Sequence, residues 1–323
     1  MIELNEKKIR KGRPLGLPYQ GSKKKISKKI VEIIKQNFGT DKPIYDIFGG
    51  GGAITAECML NGLEVHYNDL DGTITAMFLR VLATDREYLK TLIISRDEFF
   101  KIRDKENKTI DDELKLLVNS FGNNRKNYLY SEEFSDLKYN LAIEIIKKHD
   151  SFEGYKKTET YKKAHRPFDV GKEKKNQCLQ QLQRLQQLEQ MGQLGRLQQL
   201  QQLQQLERLQ QLECPQKANV KNLKITNHDY THFSYLKNTI IYLDPPYEGT
   251  THKGYKTGAF DSHSFYDWAY EMSKNNIVLI SSYEISDERF ESVFEFKNAR
   301  CTFQGGFSNN KTEKLFMVKE VIE

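Results

Sequence analysis

Residues 240–247 read Ile-Ile-Tyr-Leu-Asp-Pro-Pro-Tyr, an apolar strand that runs directly into an acid, two prolines and an aromatic ring. Proline fixes its own φ and has no N–H, so the strand cannot continue through Pro245 and Pro246, and the carbonyls there point outward unpaired. Asp244 can accept one hydrogen bond, a carbonyl at Pro245 a second, and Tyr247 offers a π-face to a flat ring. An amino group on a planar base fits such a platform. The plainer alternative for these four residues alone is a strand-ending turn with a surface Asp and a half-buried Tyr.

A second constellation lies at Asp46-Ile-Phe-Gly-Gly-Gly-Gly52. Glycines let a backbone approach a ligand closely, and a helix N-terminus follows, as in dinucleotide-binding loops. That fingerprint wants a third glycine entering the helix, where this chain has Ile54 or Thr55, and it has no use for an acid inside the strand. Asp46 with Phe48, Gly50 and Gly52 suits instead a cationic amino-acid ligand whose ammonium needs a carboxylate. Asp69, 23 residues further on, can accept both hydroxyls of a ribose, because a carboxylate presents two acceptor oxygens. A ligand joining amino acid, sulfonium and ribose is S-adenosylmethionine. The glycine loop by itself is equally well a tight turn.

The elements that must position these groups are readable from periodicity. Ile26, Ile30, Ile33 and Ile34 predict an amphipathic helix over 24–37 that stops near Gly39. The strand Ile44 to Phe48, the glycine loop, a helix from Ala53 to Leu60 and the alternating strand Leu63-Val65-Tyr67 form a βαβ unit of a parallel sheet. Residues 73–149 read mainly as helix, with a capping-box signature at Ser95 and Glu98 and with Phe134, Leu137, Leu141 and Ile145 on one face. From Leu223 strands return: one ends at Asn227-His228-Asp229-Tyr230, one at Asp244, and one spans Ile277 to Ser282 behind a helix at Ser264 to Ser273. Val293 to Phe296 and Leu315 to Val318 form a terminal antiparallel pair.

Between these halves, leucine or methionine recurs every third residue from Leu179 to Leu212, mostly among glutamines. A step of three slips 60° backwards on an α-helix each time, which excludes an ordinary zipper. A long 3₁₀-helix would align the leucines but is rarely stable beyond a few residues, and a small solenoid is the other alternative. The segment reads first as a low-complexity surface insertion whose removal spares the fold.

Four cysteines show no Cys-x-x-Cys pair and seven histidines no His-Glu-x-x-His spacing, so neither a disulfide framework nor a zinc site is signalled. No apolar run approaches membrane length and no apolar segment follows the basic N-terminus, so a cytoplasmic protein is expected. Positive charge is uneven: residues 1–29 hold ten Lys/Arg against two acids, and 147–175 ten against five. Phe152, Tyr155, Tyr161 and Phe168 interleave with the second cluster, a pattern suited to nucleic acid.

With Pro18-Tyr-Gln-Gly-Ser-Lys23, Asp46 to Gly52, the Asn68-Asp69 strand end and Asp244-Pro-Pro-Tyr247 in this order, the chain resembles the Dam-like adenine-N6 DNA methyltransferases. The resemblance covers roughly 16–75, parts of the middle including Phe121-Gly-Asn-Asn124, and 220–320. It implies an α/β fold, a Rossmann-like S-adenosylmethionine-dependent methyltransferase sheet with a helical target-recognition insertion. Residues 1–75 and 220–323 would be catalytic and 76–219, with the repeat at 179–212, would recognise the target. By that resemblance Tyr19 and Lys23 touch the cofactor, Asp69 holds its ribose, and Asp229 with Tyr230 binds its adenine. Asp244, Pro245, Pro246 and Tyr247 are catalytic, Asn123, Asn124 and Arg125 are candidates for DNA contact, and no metal is needed. The partner is double-stranded DNA, with a flipped-out adenine as target; a cognate restriction endonuclease is compatible with this reading, and recognition word and oligomeric state stay open. Rival readings are a same-fold enzyme acting on cytosine N4 or RNA, or an inactive DNA-binding relative. Asp244, where cytosine enzymes usually carry Ser or Thr, favours adenine.

Overall fold

The computed structural model describes residues 2–19, 21–152, 197–213, 223–248, 260–300 and 312–319, with the backbone alone at 134, 137 and 297–300. The chain divides into two compact units, one of Met1–Leu17, Gly21–Leu79 and Leu212–Glu323, the other of Pro18–Gln20 and Arg80–Gln211.

In the first unit, seven strands form one sheet among the described residues: β1 Ile44–Asp46, β2 Val65–Asn68, β3 Leu223–Thr226, β4 Ile240–Leu243, β5 Ile277–Ser282, β6 Phe290–Arg300 and β7 Thr312–Val318. Their order is β3-β2-β1-β4-β5-β7-β6. The first five run parallel, β7 runs antiparallel to β5, and β6 antiparallel to β7. β4 is buried at every position, as an apolar strand inside a parallel sheet must be. Ile241 and Leu243 of β4 pack with Val278 and Ile280 of β5 and with Phe265 and Met272 of the helix Ser262–Ser273, which Asp261 caps.

Helix α1, Ser27–Phe38, buries Ile30, Ile33 and Ile34 and ends at Gly39, whose φ of 85° glycine adopts without strain. The glycine loop leads into α2, Ala53–Leu60, through Gly52 at φ 70°. A side chain there would be strained and would strike the Phe78 ring, its ideal Cβ lying 2.4 Å away. Phe78, on α3 Gly72–Leu82, stacks at 5.3 Å on Tyr67, whose hydroxyl donates to the Gly50 carbonyl at 2.8 Å. Two aromatic rings thus fix the height of the loop above the sheet.

The second unit contains α4 Arg86–Lys90, α5 Arg96–Arg103, α6 Ile110–Val118, α7 Glu132–His149 and α8 Gln198–Gln210. Ser95 caps α5 through the Glu98 N–H, but the Glu98 carboxylate pairs with Lys115 rather than returning to the cap. The reciprocal box expected there occurs instead at Thr109 and Asp112 on α6. On α7 Ile145 is buried and Leu141 half-buried, while the side chains of Phe134 and Leu137 lie outside the described residues.

The repeat departs from expectation. Residues 198–210 form an α-helix in which Leu200, Leu203, Leu206 and Leu209 have no exposed surface. Four leucines at a three-residue step sweep about 180° around an α-helix, so half its circumference is covered by its neighbours α4 and α6. Gln199 donates to Asn119 and Tyr128, and Gln202 accepts from Asn123 at 2.8 Å. The reading as a surface insertion is therefore wrong for 197–212. Residues 179–196 lie outside the described residues, as do Tyr155, Tyr161 and Phe168 of the basic segment; Phe152 is buried under Arg86.

Candidate active site

Because β1 has β2 on one side and β4 on the other, all parallel, the sheet reverses its winding direction at β1 and β4, and ligands of open α/β sheets bind beyond the carboxyl ends at such a point. The register aligns Asp46 with Tyr67 and Tyr242, so Asp46, Asp69 and Asp244 all emerge from one edge within a residue or two of each other in height.

Asp46 is 1% exposed, and one of its oxygens accepts from the Thr55 hydroxyl at 2.7 Å and the Thr55 N–H at 3.1 Å. Burial pushes its carboxyl up to about 7, against those two hydrogen bonds. Asp69 accepts from Gly50 N with one oxygen and Asp71 N with the other, both at 2.8 Å, and burial raises it to about 6. Among the described residues neither has a cationic partner. Two buried acids without a counter-charge beside a glycine loop fit a cationic ligand, and an ammonium and ribose hydroxyls are donors that match these acceptors.

Asn68 joins three strand ends, donating to the carbonyls of Ile47 and His228 and accepting from Thr226 and the His228 N–H. Phe48 and Tyr230, predicted separately, stack at 6.2 Å, with Trp268 edge-on to Tyr230 at 5.1 Å. Asp229 is exposed and accepts from the Thr231 N–H and hydroxyl, capping the turn Tyr230–Tyr235.

Asp244 belongs to a second cluster. Ser22 opens a helical turn at Lys23–Lys25, and Lys23 Nζ lies 2.8 Å from Asp244 Oδ1 and 3.2 Å from Glu313 Oε1, with the three side chains only 12%, 17% and 10% exposed. The Tyr247 hydroxyl reaches Asp244 Oδ1 at 3.1 Å and also contacts Glu313 Oε1. Lys23 Nζ stands 4.9 Å from the centre of the Tyr247 ring, and Tyr283 meets that ring edge-on at 4.8 Å. Burial raises the Asp244 carboxyl to about 6, Lys23 opposing and Glu313 reinforcing the shift. Burial works against the Lys23 charge as well, but its two carboxylate partners outweigh it and raise the ammonium pKa. Pro245 is buried, Pro246 half-buried, and no hydrogen bond to the Pro245 carbonyl forms among the described residues.

Glu313 escaped sequence reasoning. It is the second residue of β7, and since β7 is antiparallel to β5 its first residues reach the edge where the parallel strands end. One signal was present: Glu313 shares its pleat phase with buried Leu315, and a glutamate on the core side of an apolar strand is unusual.

Tyr19 belongs to the second unit, together with Asn123, Asn124 and Arg125. There Asn123 donates to Leu117 O and Gln202, Asn124 accepts from the N–H groups of Lys126 and Asn127, and Arg125 pairs with Glu113 at 2.9 Å. Asn123 and Arg125, both at positive φ, tie this loop to α6 and α8, while Asn124 bonds within it; Phe121, at 57%, is exposed beside them, as are Lys126 and Asn127.

Sheet, glycine loop and acid edge are those of a Rossmann-like α/β methyltransferase. The chain belongs to the D12 class N6 adenine-specific DNA methyltransferases, whose family model matches residues 19–293. It is accordingly an enzyme that methylates adenine N6 in DNA, and methyltransferases generally take the methyl group from S-adenosylmethionine. No curated protein matches the chain. Among the described residues no helix is long and apolar enough to cross a membrane.

Proposed function

We propose that S-adenosylmethionine and a flipped-out adenine of duplex DNA meet at the carboxyl edge of β2, β1 and β4, and that Asp244 with the Pro245 carbonyl receives the N6 amino group. The observation that carries this reading is the convergence of Asp46, Asp69 and Asp244 at the ends of adjacent parallel strands.

S-adenosylmethionine, when bound, supplies a methyl carbon made electrophilic by its sulfonium. Asp46, Gly50 and Gly52 would hold its amino-acid end, Asp69 its ribose, and Phe48, Asp229 and Tyr230 its adenine. Tyr19 joins this set through its ring, on the strength of the family resemblance. For Lys23 the salt bridge to Asp244 supports a place on the target side.

The lone pair of an adenine amino group is delocalised into the ring, which makes it a poor nucleophile. Two acceptors, Asp244 and the Pro245 carbonyl, favour a pyramidal nitrogen and localise the pair. Asp244 need not remove a proton beforehand, because the nitrogen becomes acidic only once methylated. A stacked base cannot reach this edge, so the target leaves the duplex and Tyr247 replaces part of its stacking. Positioning of this kind supplies roughly 7 kcal/mol or more, and the fixed acceptors add to it.

The test is purified full-length protein with a labelled methyl donor and duplexes of varied sequence. Label on adenine N6 is expected, and Asp244→Ala should abolish transfer while donor binding stays intact. Label on cytosine alone, or full turnover by the variant, would overturn the assignment.

A further inference from the structure

Lys23, Asp244, Glu313 and Tyr247 leave a question of donors and acceptors. The Tyr247 hydroxyl has one hydrogen and lies within reach of two carboxylates, and the Lys23 ammonium lies between the same two. With one ammonium against two carboxylates the group carries a net charge of −1. Glu313 therefore competes with Asp244 for both donors.

Both donors already lie within reach of Asp244 Oδ1, at 2.8 and 3.1 Å, and without Glu313 that oxygen would hold them alone. A carboxylate oxygen saturated by an ammonium and a phenol is a weak acceptor for a third group. The target amino group needs that acceptor strength. We propose that Glu313 is a positioning residue for methyl transfer: it takes a share of the Tyr247 hydroxyl and of the Lys23 ammonium, so that these two donors weaken Asp244 less as an acceptor for the target nitrogen. This rests on Asp244 receiving the adenine amino group.

The charge state follows the same logic. The titratable groups facing the pair are Lys23 from its helical turn, Tyr242 and Tyr247 on and after β4, and Asp46 at the end of β1. Glu313 raises the Asp244 pKa, while Lys23 and Tyr247 lower it. Since an ionised Asp244 is a stronger acceptor than a protonated one, whose O–H turns one oxygen into a donor, transfer rates fall on the acid side through its pKa. Removing the Glu313 charge lowers that pKa, so the acid limb should move to lower pH even as the maximal rate drops.

The experiment is single-turnover methyl transfer from pH 5 to 9, with donor affinity and melting temperature measured alongside. E313Q should slow transfer by about tenfold or more, move the acid limb down by about half a pH unit or more, and leave donor affinity within about twofold. E313D keeps the charge but withdraws it by one methylene, so it should be several-fold slow with the acid limb at the wild-type position. An E313Q enzyme with wild-type rate and limb, or one slowed with its limb unmoved, overturns the proposal. If E313Q does not fold, E313D decides, and a wild-type rate there overturns it equally. Wild-type protein run in parallel separates the two readings: if it places no methyl on adenine, the assignment of Asp244 falls, not merely that of Glu313.

Discussion

Asp69 takes a backbone hydrogen on each oxygen, from Gly50 and from Asp71, and is still held near 6 by burial. Two backbone bonds orient a carboxylate but do not neutralise it, and each oxygen retains a lone pair for a hydroxyl. Asp69→Ala should therefore weaken binding of S-adenosylmethionine by about tenfold or more, as expected on losing a charged acceptor, with the circular dichroism spectrum unchanged. Calorimetry giving equal affinity would remove the ribose role. Asp46, Asp69 and Asp244 were legible in the sequence because each closes an apolar run that reads as a strand. Glu313 was not: it stands at the start of its strand, ahead of the apolar run, and only antiparallel pairing carries the start of a strand to the edge where others finish. The sequence marked Lys23 as a cofactor-binding candidate, whereas its salt bridge to Asp244 depends on a turn folding onto a strand more than 200 residues away.

The helix at Gln198–Gln210 shows how a periodicity argument misleads over a short span. A leucine stripe that slips 60° per step does visit every face over six steps, but four leucines cover only half the circumference, and a helix inside a helical unit can bury that much. Leu203, with no exposed surface, is the test. Leu203→Ala should destabilise the protein by about 2–5 kcal/mol, the usual cost of emptying a buried leucine site, read in urea denaturation followed by circular dichroism. A loss below ~0.5 kcal/mol would restore the dispensable insertion. The cap on α6 teaches a related lesson. Thr109 and Asp112 bond reciprocally, whereas Glu98, equally well spaced from Ser95, is drawn to Lys115 on the neighbouring helix. Spacing states which bonds are available, and neighbouring helices choose among them.

Across the sheet-bearing unit the acids of one edge are kept at a cost in stability. Asp46 titrates near 7 when folded against an ordinary value of 3.8, so between those values the folded chain holds a proton that the unfolded chain has released. Its contribution thus falls as pH rises from about 4 to 7, and above 7 the whole burial penalty is present. Asp46→Asn keeps an acceptor for Thr55 but cannot ionise. It should raise the melting temperature at pH 8 and leave it nearly unchanged at pH 4, in thermal melts without methyl donor; an equal effect at both pH values would show that the charge is not the cause. The alternation of strand, glycine loop and helix, the acids at strand ends and the motif order were set by local sequence, because backbone preferences and hydrophobic period act over a few residues. Which strands become neighbours was not, since hydrogen bonds between strands link residues as far apart as Asp46 and Tyr242. The placement of β1 between β2 and β4, the reversal at β7 that delivers Glu313, and the burial that lifts three carboxylates toward neutrality exist only once distant segments share one sheet, because proximity and desolvation are properties of the packed chain.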